Sequence, residues 1–307
     1  MAAYLELYHS GKLRERAKEA KSSLESCHLC PVNCRVNRLN SEIGRCRTAS
    51  EAIISSYGPH FGEEAPLVGR HGSGTIFFTN CNLSCVFCQN YSISQLGEGE
   101  RVSKEELAYM MLSLQNKGCH NINLVSPTHV VSQILEALEI AVELGLYLPL
   151  VYNTGGYDTV RTLKILDGVI DIYMPDMKYS DEKIAKELSG IEHYPQVNKL
   201  AVKEMHRQVG DLQIDDRDIA QRGLLVRHLV LPNGLAGTRD TVNFLAKEIS
   251  PNTYVNIMAQ YHPCYKAPNI PGLAQRVSPT EFQEAIDLAH QAGLSRLDKA
   301  RPVLLRL

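Results

Sequence analysis

The sequence predicts an α/β fold: a partial (β/α)6 TIM-like barrel preceded by a small N-terminal cysteine-rich, metal-pinned segment. From about residue 73 onward, apolar runs of strand length alternate with helical stretches. Strands separated by single helices pair in parallel through right-handed crossovers. Six clear strands fall short of the eight in a closed barrel. A polar cluster follows each strand, which is typical of the edge where such folds carry function.

Length and composition bound the rest of the chain. Its 307 residues suit one large domain with an appendage, and we expect an N-terminal helix and cysteine-rich segment in residues 1–70 and the barrel with a C-terminal helix in residues 71–307. The net charge of −2 gives no global field toward nucleic acid or an anionic membrane, and no apolar run approaches a membrane span. The N-terminus lacks the apolar core of a secretion signal, so we expect a cytoplasmic location and no nucleic-acid or membrane partner.

The elements follow in order along the chain. The first two dozen residues have loosely helical apolar spacing and predict one surface helix, whereas residues 27–70 have little periodicity and predict an irregular segment. Ser103 with Glu106 gives a later helix its capping box, and Ser278 with Glu281 starts the last helix. The predicted strands are 74–78, 121–126, 148–153, 169–174, 224–230 and 254–259.

Polar side chains stand at the end of each of these strands. Because the carboxyl ends of parallel strands meet at one edge, we expect them to converge on a single mouth. A cysteine loop follows the first strand. The clusters after the other five are Ser126-Pro127-Thr128-His129, Asn153-Thr154-Gly155-Gly156, Asp176-Met177-Lys178, Pro232-Asn233 and Tyr261-His262.

The cysteine loop reads CNLSCVFCQN, in which Cys81, Cys85 and Cys88 supply three closely spaced thiolates. A cubane iron–sulfur cluster takes four ligands, so a loop with three leaves one iron open, as a catalytic zinc keeps one position for substrate. An open iron beside a pocket indicates chemistry at the metal beyond storage of an electron. The alternative for these cysteines is a structural zinc knuckle.

A second cysteine group lies upstream. Cys27, Cys30, Cys34 and Cys46 follow the spacing Cys-x2-Cys-x3-Cys-x11-Cys, and four thiolates close a coordination sphere. This pattern predicts a structural or electron-transferring centre. Zinc is our first interpretation, because it would pin a segment too irregular to fold by apolar burial alone. An auxiliary iron–sulfur cluster and unbound thiols are the alternatives.

A run of alternating charges occupies residues 204–219. Such a run after a helix predicts a solvated surface loop. The alternative is that His206, Arg207 and Gln208 face the mouth of the barrel and contact a substrate.

These motifs resemble the radical S-adenosylmethionine (radical SAM) superfamily, whose signature is a Cys-x3-Cys-x2-Cys loop with an aromatic residue before the third cysteine, here Phe87. The NTGG turn at 153–156, the MPDMK run at 174–178 and the VRHLVLP strand at 226–232 resemble the branch of the pyruvate formate-lyase activating enzymes. The resemblance spans about residues 73–265. The N-terminal motifs HLCPVNCRVNR and GRC are similar to an uncharacterised subgroup of that branch, so no named substrate comes with them.

The resemblance implies a radical SAM oxidoreductase. Three thiolates would hold a [4Fe–4S] cluster, S-adenosylmethionine would chelate the open iron, and a reductant such as flavodoxin or ferredoxin would supply the electron. The resulting 5′-deoxyadenosyl radical would abstract a hydrogen atom. The resemblance suggests a glycine on a partner protein as the target. A small-molecule substrate is the alternative, and a non-catalytic iron–sulfur electron carrier or redox sensor is the competing class.

The resemblance also implies cofactor-binding residues. Lys178 is similar in place to the lysine that meets the carboxylate of S-adenosylmethionine, where a cation is electrostatically favoured. Arg227 and His262 match positions on the ribose or adenosine side. Phe87 and Asn90 complete the set from the cysteine loop.

One family motif is missing. Many members receive the amino group of the cofactor on a Gly-Gly-Glu motif after the second strand, whereas residues 126–129 here read SPTH. The hydroxyls of Ser126 or Thr128, or backbone carbonyls, are therefore the expected acceptors. Related activases also hold a monovalent cation near the cofactor, through oxygen ligands. The matching positions here are Asn153, which replaces a carboxylate, Thr154, Met174 and Asp176.

Overall fold

Parallel strands form the centre of the computed structural model, which describes residues 2–298. The strands are β1 (Ala52–His60), β2 (Ser73–Phe78), β3 (Glu100–Val102), β4 (Ile122–Val125), β5 (Leu150–Thr154), β6 (Ile172–Pro175), β7 (Gln213–Ile214), β8 (Ala220–Leu229) and β9 (Tyr254–Met258). Strands β2, β4, β5, β6, β8 and β9 pair in parallel in that order, and they are the six predicted strands. The predicted partial TIM-like barrel is confirmed.

The helices lie between and before these strands. They are α1 (Tyr4–His9), α2 (Lys12–Ser22), α3 (Ala65–Val68), α4 (Tyr91–Ser94), α5 (Lys104–Asn116), α6 (Val131–Glu143), α7 (Val160–Ile165), α8 (Glu182–Ser189), α9 (Tyr194–Val209), α10 (Thr238–Phe244) and α11 (Pro279–Ala292). Both predicted capping boxes are present, at the starts of α5 and α11. Within residues 2–298, every helix is too short or too polar to cross a membrane.

The N-terminus is not the single surface helix that the sequence predicts. Gly11, with φ at +75°, separates α1 from α2. The side chain of Tyr4 is fully buried, and its hydroxyl donates to the carbonyl of Leu148. The N–H of Ala3 donates to Asp171, which directly precedes β6. The segment therefore docks on the amino ends of the strands, opposite the predicted mouth.

Residues 27–70 contain more regular structure than predicted. Strand β1 pairs antiparallel with β2 and extends the sheet, although it lies before the expected boundary at residue 70. The short helix α3 buries Leu67 against side chains of the parallel strands, including Val151 and Leu225. The barrel interior is thus filled in part from the N-terminal segment.

The prediction of a surface loop over residues 204–219 is wrong for its first part, which belongs to α9. Gln208 is buried, and Arg207 forms an ion pair of 2.6 Å with Asp167. Asp167 lies in the turn before β6, at the amino end of that strand. The alternative that places His206, Arg207 and Gln208 at the mouth is therefore also wrong.

Candidate active site

The three predicted cluster ligands lie beyond the carboxyl end of β2 and border one cavity of about 220 Å³. Cys85 is buried, and Cys81 and Cys88 are partly exposed. Residues from the loops after β2, β4, β5 and β6 meet here, as parallel pairing predicts. The other predicted site residues that line this cavity are Phe87, Asn90, Ser126, Asp176, Lys178 and Arg227.

Contacts with neighbouring loops fix the conformation of the cysteine loop. Asn80 precedes Cys81 in the left-handed region, at φ +71°, which asparagine tolerates better than most residues. The Asn82 amide donates to a carbonyl in the loop after β5. The ring of Phe87 makes edge-to-face contacts with Tyr179 and Tyr261. The loop is therefore held on both sides by the barrel.

The thiols of this loop lie in a dry environment with a cation close by. Burial raises the pKa of Cys81 to about 12 and also raises the pKa of Cys85. The ammonium of Lys178 opposes both shifts, because a positive charge favours the thiolate. Metals bind the thiolate form and displace its proton. Three such donors beside a cation and an adjoining cavity fit a [4Fe–4S] cluster with one open iron.

Asp176, which is buried, and the partly buried Lys178 and Arg227 form a charge cluster on the wall of the cavity. Asp176 Oδ2 lies 2.6 Å from Lys178 Nζ, and Asp176 Oδ1 lies 2.8 Å from Arg227 Nε. Burial alone would raise the pKa of Asp176, but the charges of Arg227 and Lys178 outweigh it and hold that pKa below its usual value. Lys178 has three N–H donors, of which Asp176 takes one. Two donors remain for an anionic group.

The side-chain oxygens expected to ligate a monovalent cation are already bonded within the protein. Asn153 Oδ1 accepts a hydrogen bond of 2.7 Å from Arg227 Nη2, so Asn153 and Asp176 together hold the guanidinium. The hydroxyl of Thr154 donates to Asp158 at 2.7 Å. Asn153 and Thr154 also lie outside the cavity lining. The side-chain oxygens at three of the four predicted positions are therefore engaged within the protein, those of Asn153 and Asp176 by Arg227 and that of Thr154 by Asp158.

The two hydroxyls expected for the amino group of the cofactor lie in different environments. Ser126 lines the cavity. Thr128 is buried outside it and donates to Asp158 at 2.7 Å. Asp158 also accepts hydrogen bonds from the hydroxyls of Tyr152 and Thr154. Thr128 therefore links the loops after β4 and β5, and of the two residues with expected hydroxyls only Ser126 lines the cavity.

The turn after β5 requires glycine and is hydrogen-bonded to a side chain of α9. Gly156 has φ at +73°, and a Cβ atom there would lie 2.2 Å from the carbonyl oxygen of Asp176. The hydroxyl of Tyr194 lies 2.9 Å from the Gly155 carbonyl and 3.0 Å from the N–H of Lys178. One α9 side chain thus joins this turn to the charge cluster. The sequence carries no signal for Tyr194, because its position depends on how α9 packs.

The end of β9 contributes to the cavity in a different way from the prediction. His262 is half-buried outside the lining, with its Nδ1 3.5 Å from Gln89. Met258 and Gln260 line the cavity instead, and sequence reasoning missed them. Their spacing of two residues at a strand end is the signal that would have found them. The predicted polar cluster after β8 does not reach the mouth, since the N–H of Asn233 bonds a carboxylate of α11.

The four upstream cysteines also lie together. Cys27, Cys30 and Cys46 are buried, and Cys34 is half-buried. Burial, with a smaller contribution from the charges of the other three sulfurs, raises the pKa of Cys30 to about 12. A Cβ atom on Gly44 would lie 2.4 Å from the sulfur of Cys34, so the backbone packs directly on that thiol. Across residues 2–298, no three His, Cys, Asp or Glu side chains are arranged to hold a single metal ion.

A parallel barrel with three thiols bordering a charged cavity at the end of its first parallel strand is the arrangement of an iron–sulfur enzyme. Comparison with known proteins gives the family. The family model of the Radical SAM superfamily matches residues 75–215. The uncharacterised protein MJ0674 of Methanocaldococcus jannaschii is 33% identical over 299 residues, which cover 94% of this chain and 82% of that protein. The chain belongs to the radical SAM superfamily.

Solved structures share the fold at low identity. A radical SAM methyltransferase from Sphaerobacter thermophilus has a TM-score of 0.52 and 14% identity, over 75% of this chain and 67% of that one. SuiB from Streptococcus suis, bound to precursor peptide SuiA, has a TM-score of 0.50 and 12% identity, over 74% of this chain and 48% of that one. Membership in the superfamily implies an enzyme that uses radical chemistry, a [4Fe–4S] cluster, S-adenosylmethionine and a reductant.

Proposed function

We propose that this protein reductively cleaves S-adenosylmethionine at a cluster held by Cys81, Cys85 and Cys88, and abstracts a hydrogen atom in the manner of the pyruvate formate-lyase activating enzyme branch. One observation carries the proposal: the three thiols and the charge cluster line the same cavity. Thiolates must hold the cluster at one end of the cavity. The amino-acid part of a ligand bound to the open iron then needs charged partners close by. A protein that only carried electrons would need neither the open position nor the charge cluster.

Different residues around the cavity would bind different parts of the cofactor. Lys178 would donate its two remaining N–H groups to the carboxylate. Ser126 would accept from the amino group. Arg227 would border the ribose or adenosine side, with Asn90 at the end of the loop. Asp176 would act on the cofactor only through Lys178 and Arg227, which it holds in place.

Water must be kept from such a site, since a radical intermediate reacts with whatever reaches it. Phe87 is buried and packs edge-to-face on Tyr179 and Tyr261, so three rings form one wall beside the cysteine loop. When bound, the cluster supplies the electron that breaks the sulfonium C–S bond. The protein's own part is to orient the two cofactors and to shield them.

The test is anaerobic reconstitution with iron and sulfide, reduction, addition of S-adenosylmethionine and assay of 5′-deoxyadenosine. We expect product from the wild type and none from the variant in which Cys81, Cys85 and Cys88 are all changed to Ala. The matched control is Cys119→Ala, which removes a buried core thiol outside both cysteine groups. Equal product from the wild type and the triple variant would refute the proposal.

We further propose a glycine of a partner protein as the source of the hydrogen atom, with a small molecule as the second candidate. An anaerobic cell extract is divided into macromolecular and small-molecule fractions, and each is added to the reconstituted enzyme. A rise in 5′-deoxyadenosine with the macromolecular fraction that protease treatment removes supports a protein target. A rise only with the small-molecule fraction contradicts it. Flavodoxin or ferredoxin is the proposed reductant.

The upstream cysteines are proposed to hold a metal of their own, zinc or an auxiliary iron–sulfur cluster. The proximity of the four thiols, three of them buried, supports this proposal. Burial and, after it, the charges of neighbouring sulfurs raise the pKa of Cys30 and Cys34, and a bound cation would offset that cost. Metal analysis of the Cys81, Cys85 and Cys88 triple variant gives the answer, since only the upstream group remains in it. Zinc at one ion per chain supports the first interpretation, iron supports the second, and no metal refutes both.

A further inference from the structure

Two of the three cluster cysteines have a serine hydroxyl against the sulfur. Ser189 Oγ lies 2.9 Å from the sulfur of Cys85, and Ser94 Oγ lies 3.1 Å from the sulfur of Cys88. Both serines are buried. The third cysteine, Cys81, has instead a backbone N–H near its sulfur. Neither serine is part of the cysteine motif: Ser94 ends α4 and Ser189 ends α8.

The direction of these hydrogen bonds follows from the state of the sulfur. A thiolate bound to iron can only accept, so each serine must donate its one hydrogen to the sulfur. Each serine oxygen is then free to accept from a second donor, and the structure provides one in both cases. Tyr179 Oη lies 2.7 Å from Ser189 Oγ, and Gln95 Nε2 lies 3.2 Å from Ser94 Oγ. Two matched relays of donor, serine and thiolate result.

The backbone of each serine is held by an arginine from the upstream cysteine segment. Arg45 Nη2 lies 3.3 Å from the carbonyl of Ser189, and Arg47 Nη2 lies 2.8 Å from the carbonyl of Ser94. The two arginines flank Cys46, one of the four upstream cysteines. The upstream segment therefore contacts both relays directly, through the two residues on either side of Cys46.

We propose that Ser189 and Ser94 are positioning residues that tune the catalytic cluster by donating hydrogen bonds to two of its thiolates, and that the upstream segment sets these bonds through Arg45 and Arg47. The inference rests on the proposed cluster at Cys81, Cys85 and Cys88. Hydrogen bonds to cluster sulfurs shift the reduction potential. Because they stabilise the more negative, reduced cluster, their removal makes reduction harder.

The serine relays are tested by a redox titration of the reconstituted cluster in the absence of S-adenosylmethionine. Electron paramagnetic resonance monitors the reduced cluster at each potential. We expect Ser189→Ala and Ser94→Ala each to make reduction about tenfold less favourable, a shift of about 59 mV to lower potential for a one-electron couple. The control is Ser132→Ala, a buried serine whose hydroxyl has no hydrogen-bond partner among residues 2–298. If Ser189→Ala takes up no iron, Tyr179→Phe tests the same relay with Ser189 intact, and a smaller shift in the same direction is expected.

The part played by the upstream segment is tested with Arg47→Lys. This variant keeps the positive charge but loses the planar guanidinium that spans the carbonyls of Ser94 and Gln95. We expect a shift to lower potential, whereas the exposed Arg101→Lys should leave the potential unchanged. An unchanged potential in Arg47→Lys overturns the role of the segment.

An unchanged potential in iron-loaded Ser94→Ala together with Ser189→Ala or Tyr179→Phe overturns the relays. The titration does not depend on cofactor cleavage, so the relays stand or fall separately from 5′-deoxyadenosine formation. A wild type that takes up no iron at Cys81, Cys85 and Cys88 overturns both the relays and the proposed function.

Discussion

The two cysteine groups of this protein use the same ligand in opposite settings. The loop with Cys81, Cys85 and Cys88 borders a cavity, and the ammonium of Lys178 near its thiols belongs to the wall of that cavity. The upstream segment turns back on itself: the N–H of Cys27 donates to the carbonyl of Val36, and its sulfur lies near the buried guanidinium of Arg38. The number of thiolates predicts whether a coordination position is open. Only the fold shows what faces that position.

The two groups are also supported in different ways. The three-cysteine loop depends on the barrel, because its neighbours come from the ends of distant strands and helices. The upstream segment depends largely on local hydrogen bonds and on Arg38, which is 1% exposed and links it to the barrel. We therefore expect mutations in the first group to abolish chemistry and mutations in the second to affect stability first.

The largest effect separates the two groups by activity. Cys85→Ala removes one of three cluster ligands, so we expect 5′-deoxyadenosine formation to fall to the level of a protein-free control. Cys34→Ala removes the most exposed of the upstream thiols and should reduce the rate by no more than about tenfold. The measurement is product per iron-loaded cluster. A complete loss in Cys34→Ala with the catalytic cluster still loaded would show that the upstream group takes part in the reaction.

The second effect breaks one of the connections between the upstream segment and the barrel. The guanidinium of Arg38 donates one hydrogen bond of 2.8 Å to the carbonyl of His129. It donates two to the carbonyl of Ala49, the shorter of which is also 2.8 Å. Arg38→Met would leave both carbonyls buried without these donors, and we expect a loss of roughly 3 kcal/mol in the free energy of unfolding. The control is Arg14→Met, which breaks an exposed ion pair with Glu139 and should leave the free energy of unfolding nearly unchanged. Equal losses in urea unfolding of the two variants would contradict the structural role of Arg38.

Sequence patterns predicted the parallel barrel well because its strands are nearly continuous apolar runs. Strand β1 was missed since only part of it is buried and it contains Gly58 and Pro59, which lie beyond the part of β1 that pairs with β3. Helix α3 has only four residues, too few for periodicity to be visible. Short and half-exposed elements therefore escaped prediction, and buried elements of ordinary length did not.

The candidate site was predictable only where a residue directly follows a strand. Lys178 and Asp176 follow a strand, so their placement at the mouth was expected. Thr128 was expected in the cavity, but a sequence does not reveal that Asp158 would be buried beside it and would take its hydroxyl. Ser189 was missed entirely, because it meets Cys85 through the packing of α8. Contacts between side chains that are distant in the chain follow from packing and not from pattern.

The third effect concerns the ligand side of the three-cysteine loop. Lys178→Met removes the two N–H donors proposed for the carboxylate of S-adenosylmethionine, and Asp176 keeps Arg227 as its partner. A charge-assisted hydrogen bond contributes about 1.5–3 kcal/mol, so we expect the dissociation constant of S-adenosylmethionine to rise by roughly tenfold to a hundredfold. Equilibrium dialysis of the reconstituted protein measures it. Lys186→Met, which breaks an exposed pair with Glu192, is the matched control and should leave the constant unchanged. An unchanged constant in Lys178→Met would remove Lys178 from the binding site.

The smallest effect lies where the two groups meet. Burial lowers the pKa of His129 to about 4, and the charge of Arg38 contributes to the shift. The neutral ring donates from Nε2 to the carbonyl of Thr79, just before the three-cysteine loop. Because the unfolded chain takes up the proton near pH 6.5 and the folded chain only near 4, stability is full above about pH 6.5 and is lost as the pH falls toward 4.

The comparison variant is His129→Gln, whose amide can still donate to Thr79 but does not titrate. Between pH 7 and pH 5 we expect the wild type to lose about 2 kcal/mol more unfolding free energy than the variant. Buried carboxyls with raised pKa values, such as Asp171, act in the opposite direction but are common to both proteins and cancel in the difference. Urea unfolding of both proteins at the two pH values measures it. Equal losses of unfolding free energy in the two proteins would mean that burial and Arg38 do not keep the ring neutral. The contact of His129 with Thr79 would then not depend on pH.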